Sequence, residues 1–401
     1  MRRRGRVLIV TPWYGRLWAG GVAIAVENLV GTLGELGFHP VVLVPVGDGL
    51  RPRVEQGERG EVVVYLPLRA WHTQRQSLKA FFGYWTRLPL AWLSVLFLIL
   101  RYRISLVHFH YCIEVFDELR RIFRTLRRPF IWTCHGSDVL KGFDEEPLAS
   151  VQRKFIRDAR RITAVSHGLL RTLLVKEPQC EAKARVVWNS IPLAFWEKTR
   201  KPLAAGRHDV DLLFIGSLQE VKGPDLLVDA FVEIARKRPE TTLTIIGKGE
   251  IEETLRAKVN GARLSHHVKF VGKIPYDRLM AYYRRSKVVV VPSRFESFCF
   301  VAVEAALMER PVVAADVGGL PEVVADGQSG LLVPAENAGK LAEAILALLD
   351  SPQGAETFGK QARQRALRLF APRLSARAYL DVYREVLGRP LEGIPAGSPN
   401  P

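Results

Sequence analysis

The stretch RFESFCFVAVEAALMERPVV, beginning at Arg294, keeps two carboxylates, Glu296 and Glu304, among apolar neighbours. On a single helix that spacing is a little over two turns, so both would share one side. They are then either a surface pair or two grips on one elongated ligand. KVVVVPS (287–293) reads as a strand, RFESFCF as a loop and VAVEAALME as a helix. Glu296 thus stands in the loop at the strand's carboxyl end, with Glu304 one to two turns into the helix. A rise of about 1.5 Å per residue limits their separation to about 12 Å. A diphosphate joining two sugars has that length, with one carboxylate accepting hydrogen bonds from each sugar. The amides of Cys299 and Phe300, at the helix start, would face the phosphates.

Three further loops hold candidate groups. TPWYGRLWAGGVA sets Gly20 and Gly21 before a helix, where backbone N–H groups and the helix dipole suit a phosphate, although a plain turn explains the pair equally. In TCHGSD (133–138), His135 can donate to a sugar hydroxyl or phosphate, or be structural, and Asp138 can cap the next helix. In GSLQEVKGPD (216–225), Gly216 permits a sharp turn, and Lys222 either neutralises a diphosphate or is an ordinary exposed lysine.

Parallel strands would place these loops together. RVLIV (6–10), GVAIAVENLVGTLGELG and PVVLVP form a strand–helix–strand unit, followed by the short strands SLVHFH and PFIWTCHG. Near Asp209 the cycle restarts with DLLFIG, PDLLVDAFVEIARKRP, LTIIGKG and HVKFVG, then YDRLMAYYRRS, KVVVVPS, VAVEAALMERP and PVVAAD. Continuous Val/Ile runs between amphipathic helices indicate parallel strands covered on both faces. The expected fold class is α/β, with two doubly wound Rossmann-like domains facing a cleft. The boundaries are 1–190, a linker at 191–208, and 209–371; a helix at about 372–388 returns to the first domain, and 389–401 is a disordered tail. Ligands of such sheets lie beyond the carboxyl ends of the strands.

The net charge of +17 is uneven: residues 1–200 carry 31 Lys+Arg against 17 Asp+Glu, and the remainder 27 against 24. The first half therefore points to an anionic partner (a membrane surface, a phosphorylated acceptor or nucleic acid) or to a solvated basic face. The absence of an RNA-binding aromatic motif and of zinc-ligand spacing argues against nucleic acid. Four cysteines without a C-x-x-C pair predict free thiols in a reducing cytoplasm and no zinc site. Only four apolar residues follow the basic start of MRRRGRVLIVTPWYG, which reads as a first strand and not a signal peptide. LPLAWLSVLFLIL (88–100) would make a helix of about 20 Å, short of a hydrocarbon layer of about 30 Å. A buried helix is the first reading, a membrane-facing monotopic one the second.

The whole pattern resembles the retaining GT-B glycosyltransferases that carry an E-x7-E motif, glycosyltransferase family 4. The resemblance runs through AGGVAIAVENLVGTLGELGFHPVVLVP, HGSD, AVSHGLL, VVWNSIP, GSLQEVKGPDLLVDAF, VPSRFESFCFVAVEAALMERPVVAADVGGLPEVV and GLLVP, in the family's order. It implies that Glu296 contacts the transferred sugar and Glu304 the ribose hydroxyls of a nucleotide-sugar donor. Lys222 would hold the diphosphate with backbone groups at Phe298, Cys299 and Phe300. Gly21, beside Gly20, would face the phosphates from the other domain, His135 would approach the donor sugar, and GKIP (272–275) would border the base. One departure is Ser217, where many members place an arginine after the glycine corresponding to Gly216; Arg294 is the candidate substitute.

The implied reaction moves a sugar from a nucleoside-diphosphate sugar, with a UDP-sugar favoured, to an acceptor hydroxyl with anomeric configuration retained. The leaving phosphate itself would take the acceptor's proton. No metal or other cofactor is implied: DVD (209–211) spells a D-x-D signature but precedes its strand, so it reads as linker and strand start. The acceptor is a sugar, a lipid-linked sugar or another hydroxyl compound. The implied location is cytoplasmic, with peripheral attachment to the inner membrane face. Alternatives are a sugar-nucleotide epimerase of the same architecture and a non-catalytic nucleotide-sugar or anion-binding protein.

Overall fold

A computed structural model describes residues 6–15, 20–47, 49, 51–69, 78–199 and 209–388. The basic cluster at 1–5, the second half of the expected linker (200–208) and the tail 389–401 lie outside the described residues, while the linker's first half belongs to the second unit. The chain divides into two compact units: residues 1–190 with 372–401, and residues 191–371.

The first unit opens with β1 (Arg6–Val10), α1 (Gly21–Glu35), β2 (Val41–Val46), β3 (Arg53–Gln56) and β4 (Val62–Pro67). It continues with α2 (Leu78–Tyr102), β5 (Ile104–His110), α3 (Phe116–Thr125), β6 (Phe130–Cys134), α4 (Ser137–Leu140) and α5 (Leu148–Asp158). β7 (Arg161–Ala164), α6 (His167–Lys176) and β8 (Ala184–Val186) complete its sheet. The strand order is β3-β4-β2-β1-β5-β6-β7-β8, parallel throughout except for β3 against β4. The apolar runs of β1, β5 and β6 are buried because helices cover both faces. On one face Val26, Leu29, Val30 and Leu33 of α1 pack with Tyr379, Leu380 and Tyr383 from the last helix, residues Pro372–Leu387.

Helix α2 departs from the first expectation for 88–100. It runs 25 residues, about 37 Å, and only one side is buried, through Tyr84, Ala91, Val95, Leu98 and Ile99. Six of the ten exposed large hydrophobic side chains among the described residues lie on its other side: Trp85, Leu90, Leu93, Leu96, Phe97 and Leu100. A window apolar on every side carries no period from which the unburied face could be read. Among the described residues, no helix is long and apolar enough to cross a membrane.

The second unit opens with α7 (Leu193–Thr199), β9 (Val210–Ile215), α8 (Pro224–Lys237), β10 (Leu243–Ile246) and α9 (Glu252–Gly261). Then come β11 (Val268–Gly272), α10 (Leu279–Arg285), β12 (Ser286–Val291), α11 (Phe300–Leu307) and β13 (Val312–Ala315). α12 (Leu320–Val323), β14 (Gly330–Val333), α13 (Ala338–Asp350) and α14 (Pro352–Leu369) close it, and α15 is the Pro372–Leu387 helix of the first unit. Its sheet is wholly parallel, in the order β11-β10-β9-β12-β13-β14. From β9 the chain builds to one side as β10 and β11, then returns to build β12, β13 and β14 on the other. The switch point therefore falls between β9 and β12, where the flanking helices diverge and leave a crevice at the carboxyl ends.

Candidate functional site

The loops after β9 and β12 meet at that switch point. Lys222 Nζ, in the loop after β9, donates to Glu296 Oε1 at 2.7 Å, in the loop after β12. Ser293 Oγ donates to the same oxygen at 3.0 Å, fixing the carboxylate's orientation. Burial alone would lower the pKa of the Lys222 ammonium, but the Glu296 carboxylate outweighs it and holds that pKa above its usual value. Lys222 therefore stays a cation.

Two close backbone approaches hold these loops in place. Gly223 has φ +65°, and a Cβ there would lie 2.1 Å from the Pro292 carbonyl oxygen. Gly318 has φ +54°, with its absent Cβ only 1.9 Å from the Glu296 carbonyl oxygen, which also accepts from the Gly319 amide at 2.8 Å. The GG of DVGGLPEVV is thus the support under Glu296. Cys299 is itself at φ +76°, an unfavourable conformation for a side-chain-bearing residue, and immediately precedes α11. The first-turn amides of α11 have no carbonyl four residues back within the helix and are directed out of its start. Phe298 is buried against Phe370 and Phe300, which anchors the turn.

Glu304 lies deeper, 2% exposed. Tyr276 donates its hydroxyl to one carboxylate oxygen and Tyr283 to the other, the latter at 2.7 Å. Burial pushes the carboxyl pKa up to about 7, against the opposing pull of the two hydroxyls. Neither tyrosine was singled out in the sequence, although Tyr276 directly follows GKIP. A contact from Glu304 to a ribose must use the lone pairs the tyrosines leave open.

Ser217 stands after Gly216 as read, hydrogen-bonded to the Gln219 side chain. Arg294, the candidate substitute for an arginine there, is itself paired with carboxylates. Its guanidinium pairs with Asp225 at 2.8 Å and Glu336 at 2.5 Å, and also donates to the Glu220 carbonyl. Two carboxylates neutralise it, so it acts as a brace between loops. The DVD carboxylates are likewise structural: Asp209 pairs with Arg285 and Asp211 with Lys287, each at 2.6 Å, at the amino end of β9.

In the first unit the switch point falls between β1 and β5. Gly20 is the residue before α1, in extended conformation, with open space where a Cβ would be, and Gly21 is the helix's first residue. His135 follows β6. Asp138, at the start of α4, accepts from the amides of His135, at 3.0 Å, and Gly136, at 2.7 Å. His135 Nε2 lies 3.1 Å from His110 Nδ1, and His110 Nε2 is buried without a partner. A bare lone pair is the less costly orphan, so His110 carries its proton on Nδ1 and donates. His135 then carries its own proton on Nδ1, free to donate elsewhere. Burial lowers the His135 pKa to about 3 and that of His110 well below its usual value, so both are neutral near pH 7. His110 was missed as a partner because strand periodicity does not show which ring meets which.

Two family profiles account for most of the chain: Glycosyltransferase Family 4 matches residues 19–195, and Glycosyl transferases group 1 matches residues 196–365. A D-inositol 3-phosphate glycosyltransferase of Segniliparus rotundus is 30% identical over 307 residues, covering 71% of this chain and 67% of its own. The chain belongs to the glycosyltransferases. A glycogen synthase of Mycobacterium tuberculosis is 34% identical over 264 residues; the match takes in 64% of this glycosyltransferase and 63% of the relative's length. The solved structure of Anabaena HepE in complex with UDP-glucose superposes with a TM-score of 0.70 at 18% identity, over 94% of this chain and 99% of that one. The fold is of the GT-B type, two α/β domains with parallel sheets.

Proposed function

We propose that this glycosyltransferase moves a sugar from a nucleoside-diphosphate sugar to an acceptor hydroxyl with retention of anomeric configuration. The observation that carries the reading is the Lys222–Glu296 pair at the β9/β12 switch point, beside the start of α11 and with Glu304 buried behind it. The diphosphate lies against Lys222 and the amides at Phe298, Cys299 and Phe300. Glu296 accepts from hydroxyls of the transferred sugar, and Glu304 from the ribose. As the bond to C1 breaks, negative charge grows on the leaving diphosphate, where a fixed cation and fixed N–H groups need no reorganisation. These groups do what a metal would otherwise do, and the reading uses none. His135 contributes a neutral N–H to the donor sugar, and the leaving phosphate takes the acceptor's proton. UDP is the favoured nucleotide, supported by the fold shared with a UDP-glucose-binding protein.

The acceptor is carried at a membrane surface. The unburied side of α2 supports this, with its apolar stripe on the unit that holds most of the chain's excess positive charge. The test is incubation with UDP-glucose, with and without vesicle-borne acceptor lipids, following UDP release and the product's anomeric proton by NMR. An α-linked product from the α-linked donor is expected. A β-linked product, or conversion of the donor with no acceptor present, would reject transfer with retention.

A further inference from the structure

A pocket of about 730 Å³ opens in the first unit where β6 and β7 begin, at the opposite end of that sheet from His135. Five arginines line it: Arg124, Arg127 and Arg128 at the end of α3, and Arg160 and Arg161 at the start of β7. Two carboxylates, Asp158 and Glu385, also line it, and both are already engaged. Asp158 pairs with Arg120, with Arg157 at 3.0 Å and with Arg124 at 3.5 Å. Glu385 accepts from Arg161 Nε at 2.8 Å and pairs with Arg185.

Three guanidinium groups are left over. Among the described residues, Arg127, Arg128 and Arg160 have no carboxylate partner. Arg128 also holds its Nε–H buried with no acceptor. A solvated basic face would splay its charges into water, and a buried N–H without an acceptor is destabilising. A structural cluster would bring its own carboxylates, as Arg120, Arg161 and Arg185 do. This group instead surrounds a cavity large enough for a small molecule.

We propose that this pocket is an anion site whose ligand is a phosphate group, held by Arg127, Arg128 and Arg160. Guanidinium forks match phosphate oxygens in pairs. The site lies at the amino ends of the first unit's strands, whereas Gly20 and His135 follow carboxyl ends of the same sheet, so its ligand is not the group those residues are expected to meet. The phosphate belongs either to a free small molecule or to an anionic lipid headgroup. The inference stands apart from the proposed function.

The test uses the full chain carrying Lys222→Ala, which removes the cation of the other expected diphosphate site. Pyrophosphate is titrated into it by calorimetry, with and without Arg128→Gln/Arg160→Gln; an Arg236→Gln/Lys237→Gln variant, on α8, matches the charge loss. In a parallel arm, co-sedimentation with phosphatidylcholine vesicles is compared with and without phosphatidic acid. Only the excess due to phosphatidic acid is read, which any apolar contribution from α2 leaves unchanged. The expected result is saturable binding in at least one arm, weakened about tenfold or more by the pocket variant and not by the control. Loss with pyrophosphate assigns a free phosphate compound; loss with vesicles alone assigns a lipid headgroup. If neither probe binds, or both variants behave alike while circular dichroism shows each folded, the site does not exist.

Discussion

Lys222 is paired with Glu296, so the diphosphate and that carboxylate would share one cation. This sets the expectation for Lys222→Ala: the reading assigns it the growing charge on the leaving group, and kcat should fall about 10²–10³-fold. The pair is partly exposed, so its loss should lower the thermal midpoint less than a core truncation would. Steady-state kinetics beside a melting curve separates the two effects. Glu304 makes a different prediction, in pH. Its folded pKa of about 7 lies above the ordinary carboxyl value, so between about 4.5 and 7 the folded state holds more protons than the unfolded. Its contribution to stability therefore falls as pH rises through that window. If a ribose donates to the ionised carboxylate, UDP affinity should rise with pH up to about 7 and then level off, and Glu304→Gln should flatten the curve. Calorimetric titrations at several pH values decide it. His135, with its pKa near 3, should add no limb above pH 5.

At the scale of elements, the loops after β9 and β12 depend on close backbone contacts. Gly318→Ala forces a Cβ to within 1.9 Å of the Glu296 carbonyl oxygen at a positive φ. It should cost about 2 kcal/mol or more in urea unfolding and reduce activity beyond what the lost stability explains. For α2, Leu93→Asp/Phe97→Asp should strongly reduce co-sedimentation with phosphatidylcholine vesicles with little change in the thermal midpoint, since both side chains are already in solvent. These elements also show what the sequence could reveal. The Val/Ile runs of β9, β10, β12 and β13 and the period of the helices between them were legible because buried parallel strands need both. The β3–β4 pair was not, since RVEQ is short and exposed at the sheet's edge. Glu296 and Lys222 were legible as loop residues at strand ends, but their meeting depends on β9 and β12 being neighbours. The occupied state of Arg294 depends on Asp225 and Glu336, far apart in sequence, and no local pattern announces it.

At the scale of the whole molecule, the first unit is discontinuous in sequence. α15 brings Ala376, Tyr379, Leu380, Val382 and Tyr383 into its core, and Tyr383 shares a hydrogen bond of 2.7 Å with His108 Nδ1. Ending the chain at residue 371 should therefore destabilise the first unit while leaving the second unit's Val, Leu and Ile core complete. Limited proteolysis of the truncated chain should digest 6–190 first and leave a resistant fragment near 191–371. The most direct test of the central claim is UDP-glucose binding followed by thermal unfolding of wild type, Lys222→Ala and Glu304→Gln. At about a hundred times its dissociation constant the ligand should stabilise wild type by about 2.7 kcal/mol and both variants far less at the same concentration. Equal stabilisation of all three would place the donor elsewhere and contradict the account.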